Sequence, residues 1–274
     1  MTTGALDAAL ARHRAQLARK HRARNPDGLV AVVDALGFAF AFTAEPALPV
    51  PACFEHLSTT DESRKWSWIW AWKDELAEAK RLYYGKLIAK KPTFVSLATL
   101  PLFYGTFGRA GDADDHVDDV RTGRVSDVGR RIIEFLGHSG ETQTKRMRAE
   151  LGLSSEEGRK QYAKAIDDLQ RLMYVTLVRA VGDGREDYNY TYDLFTRRYP
   201  EIVRAAEPLS SADALARLTL RLLDVAGGVT EKQIGRLFDW EPERVTRTVA
   251  ALEAKGAVTR AAGLVLLPGL ESKR

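Results

Sequence analysis

The apolar positions of the chain follow one pattern twice, in residues 126–195 and again in residues 211–267. Each copy opens with an apolar helix, Val128 to Leu136 in the first and Leu215 to Val225 in the second, that runs into glycine. A short helix, a turn, a second amphipathic helix and two short apolar runs follow in that order. This is the order of a winged helix-turn-helix, so the sequence predicts two such modules in tandem.

Capping and turn residues mark boundaries within each copy. Ser154 and Glu157 have the spacing of a capping box, which predicts the start of the second amphipathic helix of the first copy. Thr230 and Gln233 have the same spacing in the second copy. Gly182-Asp183-Gly184 predicts a tight turn between the two strands of the first wing.

The N-terminal third of the chain is less regular. Residues 5–24 and Leu29 to Gly37 have helical spacing, and the alternation from Phe38 to Phe42 predicts a strand. The sequence allows a third, divergent copy of the module in residues 5–110, with Leu29 to Gly37 and Asp74 to Leu87 as its helices.

Four tryptophans recur at every second position, at Trp66, Trp68, Trp70 and Trp72. This spacing predicts a strand with four indoles on one face, followed by a helix that Asp74 caps. Two interpretations stay open: the rings stack on nucleobases, or they pack in the core. Because four bare indoles would form a large apolar patch, we expect at least two to pack.

Together these elements predict a mainly α fold with small β wings, an α+β class built of tandem winged helix-turn-helix modules. We expect a basic N-terminal helix or arm over residues 1–27, a divergent winged-helix-like module with the tryptophan segment over 28–125, and winged helices over 126–208 and 209–274. The chain has 274 residues, 45% of them apolar, and one cysteine, which excludes an internal disulfide. Its apolar runs fall short of the about 18 residues that a membrane-spanning helix needs. We therefore expect a cytoplasmic protein without a membrane partner.

The net charge of +4 is located at the N-terminus. Residues 1–27 hold six basic and two acidic side chains, and the remainder holds 35 of each sign. An arm that carries Arg19 and Arg22 suits contacts with phosphate groups. A solvated terminal helix would have the same charge pattern.

The second helix of a helix-turn-helix commonly enters the major groove of DNA. The predicted solvent faces carry donors for phosphates and base edges, Arg159, Lys160, Gln161 and Lys164 in the first copy and Arg244, Arg247 and Thr248 in the second. With Lys73, Arg19 and Arg22 they form the predicted DNA contacts, and double-stranded DNA is the expected partner. Ordinary amphipathic helices remain the alternative explanation of these faces.

Asp74 and Glu75 are the candidates for chemistry. They follow Trp72 and Lys73, so a carboxylate, a cation and an aromatic plane occur together. Base excision needs such groups to hold water and to stabilise positive charge on the sugar. The alternative is a capping Asp followed by a Glu that the helix dipole favours.

The sequence predicts neither a metal site nor a cofactor. An acidic run with one histidine lacks the spacing of a calcium loop and is expected to be a solvated loop; it contains Asp112, Asp114, Asp115, His116, Asp118 and Asp119. The spacings of zinc ligands and phosphate-binding loops are absent from the sequence.

Several segments carry a resemblance to a known family. They are Trp72-Lys73-Asp74-Glu75-Leu76, Tyr83-Tyr84-Gly85-Lys86-Leu87, Lys91-Pro92-Thr93-Phe94-Val95-Ser96-Leu97, Leu102-Phe103-Tyr104 and Tyr192-Asp193-Leu194-Phe195. With them the chain resembles the AlkZ-like (YcaQ-like) winged-helix proteins, and among these the relatives called AlkZ-related. The resemblance implies winged helices around a concave surface of duplex size.

The founding enzymes of that family excise alkylated or cross-linked bases by cleaving the N-glycosidic bond, and a Gln-x-Gln motif is thought to position the attacking water. No two glutamines of this sequence are separated by one residue, so these catalytic residues have no counterpart. We expect a DNA-binding protein related to the repair of alkylated bases. The alternatives are a glycosylase with non-standard catalytic residues and a non-catalytic scaffold for a protein partner or transcriptional regulator.

Overall fold

The computed structural model describes residues 3–45, 47–182 and 189–269. Helices dominate it, and its strands form three antiparallel sheets of three strands each. The predicted fold class, mainly α with small β wings, is confirmed. No helix in these ranges combines the length and the apolar character that crossing a membrane requires.

The N-terminal part contains the elements α1 (Thr3–Lys20), α2 (Pro26–Leu36), β1 (Phe38–Phe40), α3 (Cys53–His56), α4 (Glu62–Glu78), β2 (Tyr83–Ile88) and β3 (Lys91–Val95). Two helices lead onward, α5 (Leu100–Gly105) and α6 (His116–Arg121). The central part contains α7 (Asp127–Ser139), β4 (Thr142–Gln143), α8 (Thr144–Glu150), α9 (Glu156–Arg171), β5 (Val175–Val181) and β6 (Asn189–Leu194).

Two short helices connect to the last part, α10 (Phe195–Arg198) and α11 (Pro200–Ala206). The C-terminal part contains α12 (Ser211–Ala226), β7 (Gly228–Val229), α13 (Glu231–Phe238), α14 (Pro242–Ala254), β8 (Thr259–Ala261) and β9 (Leu264–Leu266). In all three parts the last strand in the chain lies between the other two in the sheet, and we call the three parts modules. The repeated order of elements predicted for the second half of the chain therefore extends to the first.

The tryptophan segment is a helix and not a strand, which corrects the sequence prediction. Asp61 caps α4 by accepting a hydrogen bond from the Arg64 amide at 3.1 Å. Ile69, Trp72 and Leu76 recur at helical spacing and form its buried face. The tryptophan alternation therefore conflicts with this helical period, and the two sets of positions share only Trp72.

Two more boundaries in the N-terminal module differ from the prediction. Asp74 lies inside α4 and does not cap a helix. The chain from Tyr83 to Leu87, predicted as the end of a helix, is the strand β2, which pairs with β3. β-Branched and aromatic side chains of both strands are buried in the core.

Capping is confirmed in one module and shifted in another. Thr230 and Gln233 form the predicted capping box at α13. At α9 the cap is Ser155, whose hydroxyl accepts from the Gly158 amide at 3.1 Å, one residue after the predicted Ser154. Of the predicted wing turn, Asp183 and Gly184 lie outside the described residues.

The modules share one apolar core, which runs through all three sheets. The β2–β3 hairpin lies against both later modules: Lys86 pairs with Asp167 at 2.8 Å, and the Ala89 amide donates to the Leu237 carbonyl at 2.8 Å. Helix α1 packs its Leu6 side chain on the C-terminal sheet. The basic arm is therefore docked on the C-terminal module.

Candidate nucleic-acid interface

The first half of α9 presents four polar side chains to solvent. They are the predicted contacts Arg159, Lys160, Gln161 and Lys164. Lys160 pairs with Glu156 at 2.9 Å, and Gln161 donates to Glu157 at 3.3 Å. Because these pairs are exposed to solvent, they hold the side chains only weakly, and an incoming phosphate can replace the carboxylates.

The solvent face of α14 is smaller than the sequence predicts. Arg247 is exposed. Arg244 is half-buried and donates to the Ser211 hydroxyl at 2.5 Å and to the Thr106 carbonyl. Burial, with nearby Arg124 and Arg247, lowers the pKa of Arg244.

Thr248 also differs from the prediction. Its side chain is 9% exposed, and its hydroxyl donates to the Arg244 carbonyl at 2.8 Å. The expectation that Arg244 and Thr248 lie on the solvent face is wrong. Both lie on the side of α14 that packs against the remainder of the protein. Arg247 is the predicted contact on this helix that faces solvent.

An ion pair with a buried lysine lies in the second half of α4. Lys73 has no exposed surface, and its Nζ donates to both carboxylate oxygens of Asp74, at 2.7 and 2.8 Å. The ammonium lies 4.3 Å from the ring centre of Trp70, 5.8 Å from Tyr84 and 5.6 Å from Tyr190. Tyr190 belongs to β6, so the pair lies between two modules.

Burial lowers the pKa of Lys73, and the hydrogen bonds and charge of Asp74 oppose this shift. Burial also raises the pKa of Tyr84. Direct contact between Lys73 and DNA does not fit a fully buried side chain. Asp74 is partly exposed and Glu75 is exposed. The two carboxylates therefore reach solvent, whereas the Lys73 ammonium does not.

The four tryptophans divide between the core and the surface. Trp72 is buried and stacks on the half-buried Trp68 at 5.2 Å. Trp66 and Trp70 are 44% and 51% exposed. Phe42 stacks on Trp66 at 5.1 Å and lies 6.4 Å from Trp70. We call Phe42, Trp66 and Trp70 the aromatic step.

The end of the arm forms an open cleft that sequence reasoning missed. Arg22 and Arg24 face the segment from Ser58 to Thr60 across a volume of about 800 Å³. The two chain segments meet because the Ala23 amide donates to the His56 carbonyl at 2.8 Å. No local signal in the sequence could have paired positions so far apart. Arg19, at the end of α1, is exposed.

The acidic run contains the helix α6 and is not a simple solvated loop. The Tyr174 hydroxyl donates to Asp119 at 2.8 Å, and the Gly111 amide donates to Asp115 at 2.8 Å. Asp119 thus connects the run to the central module, and Asp115 bonds within the run. Within the described ranges no His, Cys, Asp and Glu side chains cluster in a way that could hold a metal ion.

Comparison with known proteins assigns the chain to a family. The family model described as AlkZ related matches residues 23–239. The chain belongs to the AlkZ-related family. The matched region contains α4 with its ion pair, the aromatic step and α9, whereas Arg19, Arg22 and Arg247 lie outside it.

The fold of this AlkZ-related chain is similar to that of a solved structure, the Streptomyces sahachiroi DNA glycosylase AlkZ. The TM-score is 0.58 at 12% sequence identity, with 96% of this chain and 70% of the other covered. At this identity the similarity shows the fold alone. None of the curated protein sequences matches the chain.

Proposed function

We propose that the protein binds double-stranded DNA through α9 and α14 and acts in a process related to the repair of alkylated bases. The observation that carries the proposal is the fold shared with a DNA glycosylase over 96% of this chain. Membership of the AlkZ-related family supports it. The module repeat adds a physical reason, since helix-turn-helix modules dock on duplexes through their second helix.

The exposed donors support the same proposal. Arg159 can donate two hydrogen bonds to a guanine edge, and Gln161 can donate one hydrogen bond to an adenine edge and accept another from it. Lys164 and Arg247 are exposed cations suited to phosphates. The half-buried Arg244 instead ties α14 to Ser211 and positions the helix.

Binding to a fluorescent duplex, measured by anisotropy at low and at high salt, tests this proposal. We expect affinity to fall as the salt concentration rises. The logarithm of affinity should decrease by about 0.9 per phosphate contacted for each tenfold increase in salt concentration. An undamaged and an alkylated duplex should be compared under both conditions. Absence of binding to either duplex at low salt would refute the proposal.

A second candidate function is a DNA glycosylase that uses Asp74. The specific observation is that its carboxylate, one-quarter exposed, is oriented by Lys73, whose ammonium also lies 4.3 Å from the ring centre of the exposed Trp70. A carboxylate so placed can stabilise positive charge on the sugar or accept a proton from water. Glu75 is exposed and lies about 100° further around the helix.

Incubation with alkylated duplex DNA tests this second function. Free base and abasic sites should form, and Asp74→Asn or Glu75→Gln should abolish their formation. The variants are compared well below their melting temperatures, with circular dichroism as the check on folding. If the unaltered protein releases no base, the glycosylase function is refuted. The proposal of duplex binding is unaffected by that result.

A further inference from the structure

The arginine cleft, formed by Arg22, Arg24 and the segment Ser58 to Thr60, has the chemistry of an anion site. Every side chain that lines it within the described ranges is cationic or neutral. Arg22 is oriented by donating to the Glu55 carbonyl at 3.0 Å. Asn25 accepts from the Gly28 amide at 2.8 Å and caps α2, so the positive end of that helix also points to the cleft.

Contacts with Phe54 and Lys73 hold the two indoles of the aromatic step in place. Phe54 is buried and packs its ring against Trp66 at 4.9 Å, nearly perpendicular to it. The Trp70 ring covers the ammonium of Lys73 at 4.3 Å, a cation–π contact that fixes the indole. Rings fixed in this way lose little side-chain freedom when a flat ligand stacks on them.

The cleft and the step are neighbours along the chain. Thr60 lines the cleft, Asp61 caps α4, and Trp66 follows about 8 Å along the helix axis, at 1.5 Å per residue. Phe54, which supports Trp66, lies in the segment that leads to Ser58. One short oligonucleotide can therefore reach both features.

We infer that the N-terminal module binds an unpaired stretch of a DNA strand, with its phosphates in the arginine cleft and its bases on the aromatic step. A cleft without carboxylates selects a polyanion, and flat exposed rings select ligands with accessible π faces. In an intact duplex the base faces are covered by their neighbours, so stacking requires unpaired bases. This site is separate from the faces of α9 and α14 that are proposed to bind duplexes.

The test is titration with short labelled oligothymidylate, with affinity measured by anisotropy for every variant and quenching of tryptophan fluorescence followed in the unaltered protein. The unaltered protein should bind with quenching. A Trp66→Leu and Trp70→Leu double variant should lose about tenfold or more in affinity for each base that no longer stacks. A double variant with Phe at both positions should recover most of the binding, because it keeps the aromatic faces.

The cleft is tested by Arg22→Gln with Arg24→Gln, measured by anisotropy with labelled oligothymidylate. Affinity should fall. The slope of the logarithm of affinity against the logarithm of salt concentration should become shallower by about 0.7 for each phosphate that the variant no longer binds. The matched control is Arg204→Gln with Arg217→Gln, which removes two exposed arginines elsewhere. The control should bind as the unaltered protein does.

Three results would overturn this inference. The first is that oligothymidylate leaves the tryptophan fluorescence of the unaltered protein unchanged. The second is that the leucine variant binds oligothymidylate as tightly as the unaltered protein does. The third is self-association that sedimentation detects and the leucine variant abolishes, which would make the step a surface for a second copy. Loss of duplex binding alone would leave the inference standing, because Lys164 and Arg247 lie on other helices.

Discussion

Replacing Asp74 with Asn lowers the free energy of unfolding by about 2–4 kcal/mol at neutral pH. The substitution preserves the shape of the side chain but removes the negative charge that Lys73 contacts at 2.7 and 2.8 Å. Lys73 has no exposed surface, so water cannot replace that charge without rearrangement of α4. Urea unfolding followed by fluorescence measures the change.

The deficit of Asp74→Asn shrinks as the pH rises. In the folded protein the pKa of Lys73 lies below its ordinary value of 10.5, so between these two pKa values the unfolded chain binds more protons and stability increases with pH. Asp74 raises the pKa of Lys73, so removing its charge lowers that pKa further in the folded variant. The pH range over which stability increases with pH then begins at a lower pH in the variant. Unfolding measured at about pH 7 and at about pH 10 should show a smaller difference between variant and unaltered protein at the higher pH.

Asp118→Asn is the matched control for this experiment. Asp118 pairs with Arg121 at 3.0 Å, and both side chains are more than three-quarters exposed. Because solvent screens such a pair, the control should change stability by less than about 0.5 kcal/mol. An Asp74→Asn variant as stable as this control, or a deficit that is independent of pH, contradicts the assignment of the buried pair.

The second large effect is expected in duplex binding. The double variant Lys164→Gln with Arg247→Gln should bind a duplex about tenfold or more weakly at low salt, because it loses one exposed cation from each proposed contact helix. Anisotropy with a labelled duplex measures the affinity. Oligothymidylate binding should be unchanged in this variant, which separates the duplex contacts from the N-terminal site.

The control for duplex binding is Arg204→Gln with Arg217→Gln, which makes the same change in net charge. Equal losses of affinity in both double variants would mean that the total charge of the protein governs binding and that α9 and α14 have no special part. Arg244→Gln is unsuitable as a contact variant, since Arg244 bonds to Ser211 and its loss would disturb the packing of α14.

The central and C-terminal modules could be predicted because several local signals agreed there. At α13 the capping box of Thr230 and Gln233 coincides with the start of the apolar period. At α4 the local signals conflicted: alternating tryptophans favour a strand, while Ile69, Trp72 and Leu76 favour a helix. Packing of that second set on the core decides the conformation.

The candidate sites depend on contacts between distant parts of the chain, which periodicity does not encode. Lys73 is buried partly because Tyr190 of another module covers it. Arg244 faces inward because Ser211 and Thr106 approach α14. The arginine cleft exists because Ala23 bridges to Leu57. Sequence patterns identify the residue types but not these neighbours.

We propose that the protein holds a DNA duplex with the exposed faces of α9 and α14. The most direct test is the slope of the logarithm of duplex affinity against the logarithm of salt concentration, for the unaltered protein and for Lys164→Gln with Arg247→Gln. We expect a negative slope for the unaltered protein and a slope shallower by about 2 for the variant, because the variant neutralises two fewer phosphates. Identical slopes, or no duplex binding at any salt concentration, would contradict this mode of binding.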